Sequence, residues 1–284
     1  MMEIKTDFTG RRFGIEFEVI MKSGCHQDNV ITDLRAINID VTSTYYSHTT
    51  NGNNTSVWTI KPDASIQGNG FEIVSPVLSG LDGLESVKKV CSVLSRYCTA
   101  NKSCGMHVHH EAINMSNKAF VNVYKLYSLA QNHIDLLLPK SRRHNGYCGK
   151  LVPFNQLSRT TPAAVRAFSL RQSRYHVVNF SSYALRGTIE FRQHSGTTEF
   201  AKAKAWIILT QRIMEKSISS DRIISVKHFS YLRDFLQVLG IVGMKTRNSN
   251  GERVEYVPSE LLNETKSYLT KRYNGFKKEL ADVN

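Results

Sequence analysis

Residues 11–20 read RRFGIEFEVI. Phe13, Ile15, Phe17 and Val19 share one parity, and Gly14, Glu16 and Glu18 share the other. A period of two with one apolar side describes a strand that keeps one face in a core. Three more stretches repeat the design. GFEIVSP at 70–76 sets Glu72 opposite Phe71 and Ile73. CGMHVHH at 104–110 sets His107 and His109 opposite Met106 and Val108. GTIEFRQ at 187–193 sets Thr188, Glu190 and Arg192 opposite Ile189 and Phe191. An ordinary solvated sheet face mixes Thr, Lys, Ser and Gln. Here the polar faces concentrate carboxylates, imidazoles and a guanidinium.

Each motif alone has a plain explanation. ExE in a strand is commonly a solvated face, and Asp63 in the DASIQGN turn is where aspartate bonds its own backbone. Their co-occurrence on several strands carries the argument. Four glutamates brought together repel unless cations lie between them. Oxygen ligands with one or two imidazoles suit Mg2+ or Mn2+, and several carboxylates suggest two or more ions. Such ions commonly hold a substrate phosphate, and Arg192 suits a phosphoryl oxygen.

Working outward, SVWTIKP at 56–62 and YHVVNF at 175–180 read as further strands. Residues 82–98 carry apolar groups at helical spacing. Ser116 caps a helix that runs to about Leu138 and ends at Pro139. Helices are also expected at 199–217, 228–239 and 258–280, with a turn at NSNG, 248–251. Residues 22–55 read as a long loop or irregular excursion. The basic stretch 140–174 resists assignment. No composition break marks a boundary, so the expectation is one α+β domain over 1–284. Its motifs lie in 11–210, and 211–284 reads as helical.

The chain has 284 residues, a net charge of +13 and a pI near 9.5. That balance favours anionic partners, nucleic acid among them. Small basic clusters at Arg142–Arg143, Lys271–Arg272 and Lys277–Lys278 read mainly as solvated surface. Five cysteines without a CxxC pair argue against a disulfide framework. Cys104 reads as a buried packing thiol. The first twelve residues lack the apolar core of a signal peptide, and no run of 18 apolar residues exists. A cytoplasmic protein without a membrane partner is expected.

GIEFE, the DAS turn with FEIVSP, CGMHVH, and YHVVNF with GTIEFRQHSGT follow the order found in amidoligases. That family belongs with glutamine synthetase and gamma-glutamylcysteine synthetase. GMHVH resembles the GMHxH segment of glutamine synthetase, and IEFR resembles its later EFR segment. The resemblance implies a curved, mostly antiparallel sheet of about six strands with helices on its outer face. It implies an ATP-dependent carboxylate–amine ligase that works through an acyl phosphate. Glu16, His107 and Glu190 look like ligands of the metal bridging the ATP phosphates. Glu18 and Glu72 look like ligands of a second metal near the acceptor carboxylate, completed by Asp63. His109 and Arg192 look like phosphate contacts, and Asn179 like a substrate contact. Arg171 and Arg174 either steady ATP phosphates or lie on the surface. Relatives of this size look like modifiers carried by phages or small gene clusters. The carboxylate and amine stay open: amino acid, peptide, cell-wall peptide or modified nucleobase. Two rivals share these residues, a metal-dependent phosphoesterase or nuclease and a basic, non-catalytic nucleic-acid-binding protein.

Overall fold

The alternating stretches fold as the strands they spell, and they lie side by side. The computed structural model describes residues 2–44, 56–113, 115–143, 145–247 and 250–281. In chain order, the first part comprises β1 (Met2–Thr6), β2 (Phe13–Met21), α1 (Gln27–Ala36), β3 (Val41–Ser43), β4 (Trp58–Lys61) and β5 (Gly70–Val74). Then come α2 (Gly80–Tyr97), β6 (Cys98–Thr99), β7 (Gly105–Glu111), α3 (Asn117–Asp135), α4 (Pro162–Leu170) and β8 (Val178–Asn179). The last part holds α5 (Ser182–Arg186), β9 (Thr188–Ser195), α6 (Phe200–Ser219), α7 (Leu232–Val238), β10 (Met244–Arg247), β11 (Arg253–Pro258) and α8 (Glu260–Ala281).

The main sheet has eight strands in the order β3-β4-β5-β2-β7-β9-β8, with β6 beside β2. Its pairings are antiparallel except β3 with β4. Ile15, Phe17, Val19, Met106, Val108, Ile189 and Phe191 are all fully buried on one face. They share a core with α2, α3 and α6, and α6 packs on β7, α2 and α3. Covering one face leaves the other open, which is where the glutamates and histidines lie.

Helix ends follow local chemistry. Ser116 Oγ accepts the Ala119 N–H at 3.1 Å and caps α3. Gly187 ends α5 at φ 66°, where a side chain would be strained, and the chain passes straight into β9.

Three expectations need correction, and one unassigned stretch is filled. The stretch 22–55 is not simply irregular: it contains α1 and β3, and its residues 45–55 lie outside the described ones. Helix α1 buries only Val30 and Leu34, too narrow a stripe to stand out in a polar sequence. Within 140–174, Pro162 at the first helical position opens α4. The strand 175–180 shrinks to two paired residues, because Asn179 already leads into α5. The tail 211–284 is not wholly helical. Strands β10 and β11 flank the NSNG stretch, whose expected turn includes residues 248 and 249, outside the described ones. With β1 they make a second, three-stranded sheet. β11 joins β1, more than 240 positions away in sequence, and no local pattern announces such a pairing. Among the described residues, no helix is long and apolar enough to cross a membrane.

His194 gives the fold a pH signature. It packs near Trp206, with ring centroids 5.3 Å apart. Burial pushes its imidazole down to about 3, and Arg272 and Arg142 add to the effect. The unfolded chain takes up that proton near pH 6.5, so acid favours unfolding through the whole interval. Urea denaturation is expected to show stability falling between pH 6 and 5. His194→Gln should flatten the slope by about 1.4 kcal/mol per pH unit. An unchanged slope would mean that the imidazole is not held neutral.

Candidate active site

Strand register assembles the polar face. Across β2 and β7, Glu16 lies opposite His107. Across β7 and β9, His109 lies opposite Glu190, and across β9 and β8, Glu190 lies opposite Asn179. On the other side of β2, Glu18 lies opposite Glu72, which in turn lies opposite Lys61 on β4. All of these line one cleft of about 750 Å3.

At its centre, donor atoms of Glu16, His109 and Glu190 lie within 4.8 Å of one another. His109 Nε2 is 3.2 Å from Glu16 Oε1 and 3.8 Å from Glu190 Oε1. The alignment makes no hydrogen bond, so this buried nitrogen has no partner among the described residues. The other ring nitrogen is held. Thr188 Oγ1 is 3.1 Å and Ser182 Oγ 3.4 Å from His109 Nδ1. With its proton on Nδ1, shared with Thr188, the ring turns the Nε2 lone pair toward the two carboxylates. Metal-binding histidines are oriented in this way by hydrogen bonds behind the ligand.

Glu190 is fixed from two sides. Asn179 Nδ2 donates to its Oε2 at 2.6 Å, and Arg192 Nη1 to its Oε1 at 2.5 Å. Ser181 Oγ donates to Asn179 Oδ1 at 2.6 Å and sets the amide's direction. Burial raises the Glu190 pKa, but His109 and Arg192 outweigh it and hold the carboxyl below its ordinary value. Glu16 follows the same logic: burial is overcome by His109 and His107, and the group falls well below the usual range. For His109, burial favours the neutral ring, while Glu190 and Glu16 pull its pKa upward. A positive charge between these carboxylates is therefore what the site favours. The orphaned nitrogen and the oxygen-rich donor set fit a divalent cation there.

The other end of the cleft is acidic and under-compensated. Glu18 Oε2 accepts the Gly105 N–H at 2.5 Å, and Glu18 Oε1 is 3.6 Å from His107 Nε2. A methyl on Gly105 would come within 2.8 Å of His107 Nε2, so only glycine lets the ring and the carboxylate approach this backbone. Burial pushes Glu72 well above its ordinary value, and the charges of Glu16 and Asp63 push it further against the pull of Lys61. Asp63 lines the cleft, but its Oδ1 is engaged by the Ser65 N–H and hydroxyl, both at 2.7 Å.

The structure thus brings together Glu16, Glu18, Glu72, His107, His109, Asn179, Glu190 and Arg192, with Asp63 at the margin. It redistributes some of them. His109 completes the convergent triad, whereas His107 stands between Glu16, Glu190 and Glu18, with its Nδ1 3.2 Å from Glu16. Asn179 grips Glu190. Arg174 lies exposed at the rim, stacked over Tyr175 at 4.9 Å. Arg171 caps the end of α4, exposed and away from the cleft lining. The third histidine of CGMHVHH, His110, faces the core, where Thr210 Oγ1 is 2.8 Å from its Nε2. Cys104 is buried and free, and burial raises its thiol pKa. Lys61 was legible in the sequence: alternation in SVWTIKP puts it on the polar side with Thr59. Arg142 is buried rather than solvated, and nothing in its sequence surroundings signals that.

Residues 9–214 match the family model described as "Putative amidoligase enzyme". The match spans most of the chain and sets the class, a carboxylate–amine ligase. The chain belongs to the amidoligase family. Among solved structures it is similar to a novel glutamine synthase homolog (TM-score 0.41, 10% identity, 97% of this chain and 67% of that one). It is also similar to the complex between the prokaryotic ubiquitin-like protein Pup and its ligase PafA (TM-score 0.42, 9% identity, 95% and 65%). A third is Plasmodium falciparum glutamine synthetase (TM-score 0.38, 14% identity, 98% and 73%). The chain spans about two thirds of the length of the first two. No curated protein sequence matches it significantly.

Glu72 offers a test of the site's charge balance without any ligand. A carboxyl whose pKa is raised on folding stabilises the fold below its unfolded value and loses that contribution as pH rises through the folded one. In EDTA at pH 7.5, Glu72→Gln is expected to raise unfolding stability by about 1 kcal/mol. At pH 4 the gain should vanish. A loss of stability at pH 7.5 would contradict the crowded-carboxylate description.

Proposed function

We propose that the protein joins a carboxylate to an amine in a reaction driven by ATP, on the polar face of the main sheet. One observation carries this reading: Glu16, His109 and Glu190 converge on an unpartnered imidazole nitrogen beside Arg192, in a chain of the amidoligase family. When bound, Mg2+ or Mn2+ supplies charge neutralisation across the phosphates.

Glu16, Glu190 and His109 would hold the ion at the phosphate end, with His107 beside them. Glu18 and Glu72, helped by Asp63, would hold a second ion at the acceptor end. Arg192, whose buried Nε has no partner among the described residues, takes a phosphoryl oxygen. Arg174 meets the phosphates at the rim. In the first step a carboxylate oxygen of the substrate attacks the γ-phosphorus. The bond to the β,γ-bridging oxygen breaks, leaving ADP and an acyl phosphate. In the second step an amine attacks the carbonyl carbon, the C–O bond to phosphate breaks, and the nitrogen loses a proton. No protein nucleophile is needed. Positioning and electrostatics on a rigid sheet do the work.

Residues 1–284 act as one catalytic domain, because one set of buried side chains runs from β2 to α8. A need for ATP puts the enzyme in the cytoplasm. The substrates are a free or peptide-borne carboxylate and an amine.

With Mg-ATP, candidate carboxylates and hydroxylamine, hydroxamate and ADP are expected in equal amounts. Glu190→Gln should slow both by about 100-fold or more while the fold is kept. Failure of the wild type to bind ATP at millimolar Mg2+ would sink the ligase reading. Unimpaired turnover in Glu190→Gln would remove Glu190 from the site.

A further inference from the structure

Arg142 is a buried cation behind the cleft face. It sits on a single 3-10 turn, Lys140–Arg142, directly after Pro139. Only 3% of it is exposed. Its guanidinium goes to main-chain oxygens of β9: Nη2 donates to the Arg192 carbonyl at 2.7 Å and Nε to the Gln193 carbonyl at 3.3 Å. Gln193 answers, its Nε2 donating to the Arg142 carbonyl at 3.3 Å.

Those two carbonyls belong to a break in the sheet. Register between β7 and β9 shifts between Met106 and Val108. Met106 pairs with His194 and Val108 with Phe191. One residue of β7, His107, therefore faces two of β9, Arg192 and Gln193. Such a bulge re-aims side chains, and its buried carbonyls need donors that the ladder no longer gives. The planar fork of an arginine meets two successive carbonyls in fixed directions, a geometry that the shorter, single-headed lysine holds less well. The same guanidinium also borders the site. A methyl on Gly105 would lie 3.1 Å from Arg142 Nη2 and 2.8 Å from His107 Nε2. The guanidinium and the His107 ring thus meet over Gly105.

We propose that Arg142 is a positioning residue whose guanidinium holds the β9 bulge and thereby aims Arg192 and His107 into the cleft. It touches no reacting atom. The inference rests on the ligase reading only for the chemistry that Arg192 performs.

The test uses the full chain with Arg142→Met, which keeps length and removes the donors, and Arg142→Lys. Amide exchange at 190–195 is expected to quicken at least 10-fold in Arg142→Met, with β4 unchanged. A crystal structure of that variant should show Arg192 moved off Glu190. In the Mg-ATP and hydroxylamine assay, turnover should fall about 10- to 100-fold. Arg142→Met combined with Arg192→Met should be slower than Arg192→Met alone by less than the factor that Arg142→Met costs by itself. Arg192 still on Glu190 with unchanged exchange would overturn the proposal, as would losses that multiply in the double variant. If the wild type shows no turnover, the ligase reading fails, and exchange and crystallography still decide the role of Arg142. If Arg142→Met does not fold, Arg142→Lys carries the same comparison. Intermediate exchange is expected there, and wild-type exchange would overturn the role.

Discussion

Carboxylates crowded on a poorly hydrated sheet face repel one another, and the rest of the site answers that repulsion. Glu16, Glu18, Glu72 and Glu190 come from three strands, and pairing leaves them no freedom to disperse. Three take a partner within reach: imidazoles for Glu16, the Gly105 N–H for Glu18, Asn179 and Arg192 for Glu190. Glu72 has the poorest compensation, and its pKa rises accordingly. Burial costs a carboxylate several kcal/mol unless it is paired. On the proposed reading, a fold that keeps so many on one face is built around charge that comes from outside.

The opposite face makes this arrangement possible. The residues that alternate with the glutamates and histidines are buried against α2, α3 and α6. A slip of one residue in β2 would put Phe17 into the cleft and Glu16 into the core. The register that builds the core therefore also aims the site. Where aim and register conflict, at Arg192 and Gln193, the sheet bulges.

The sequence disclosed what period two can encode. Strands β2, β5, β7 and β9 were readable from their alternation, and so was the side on which each acidic or imidazole group falls. Period two could not say how far along neighbouring strands the groups stand. That is why His107 and His109 exchange emphasis: the triad depends on the pairing of His109 with Glu190, a property of two distant segments. Asn179 shows the same limit, since its grip on Glu190 needs the β8–β9 pairing. Arg142 lies beyond any local signal. It sits in a basic, glycine-containing stretch that looks like surface, and long-range packing alone draws it inside. The pairing of β1 with β11 was hidden because the two strands lie at opposite ends of the chain.

The charge of the whole chain is also resolved by geometry. A net +13 and an acidic cleft look contradictory until the two signs are separated in space. Arg174 and Arg186 are exposed at the rim, while the glutamates form the floor. A polyanion is drawn to the rim and repelled by the floor. An anion that carries its own divalent cations satisfies both layers, because the cations go to the carboxylates and the remaining negative charge to the arginines. On the proposed reading, the cleft therefore discriminates in favour of metal-loaded nucleotide over free nucleotide. The preference follows from the order of charges along the approach and needs no contact to the base.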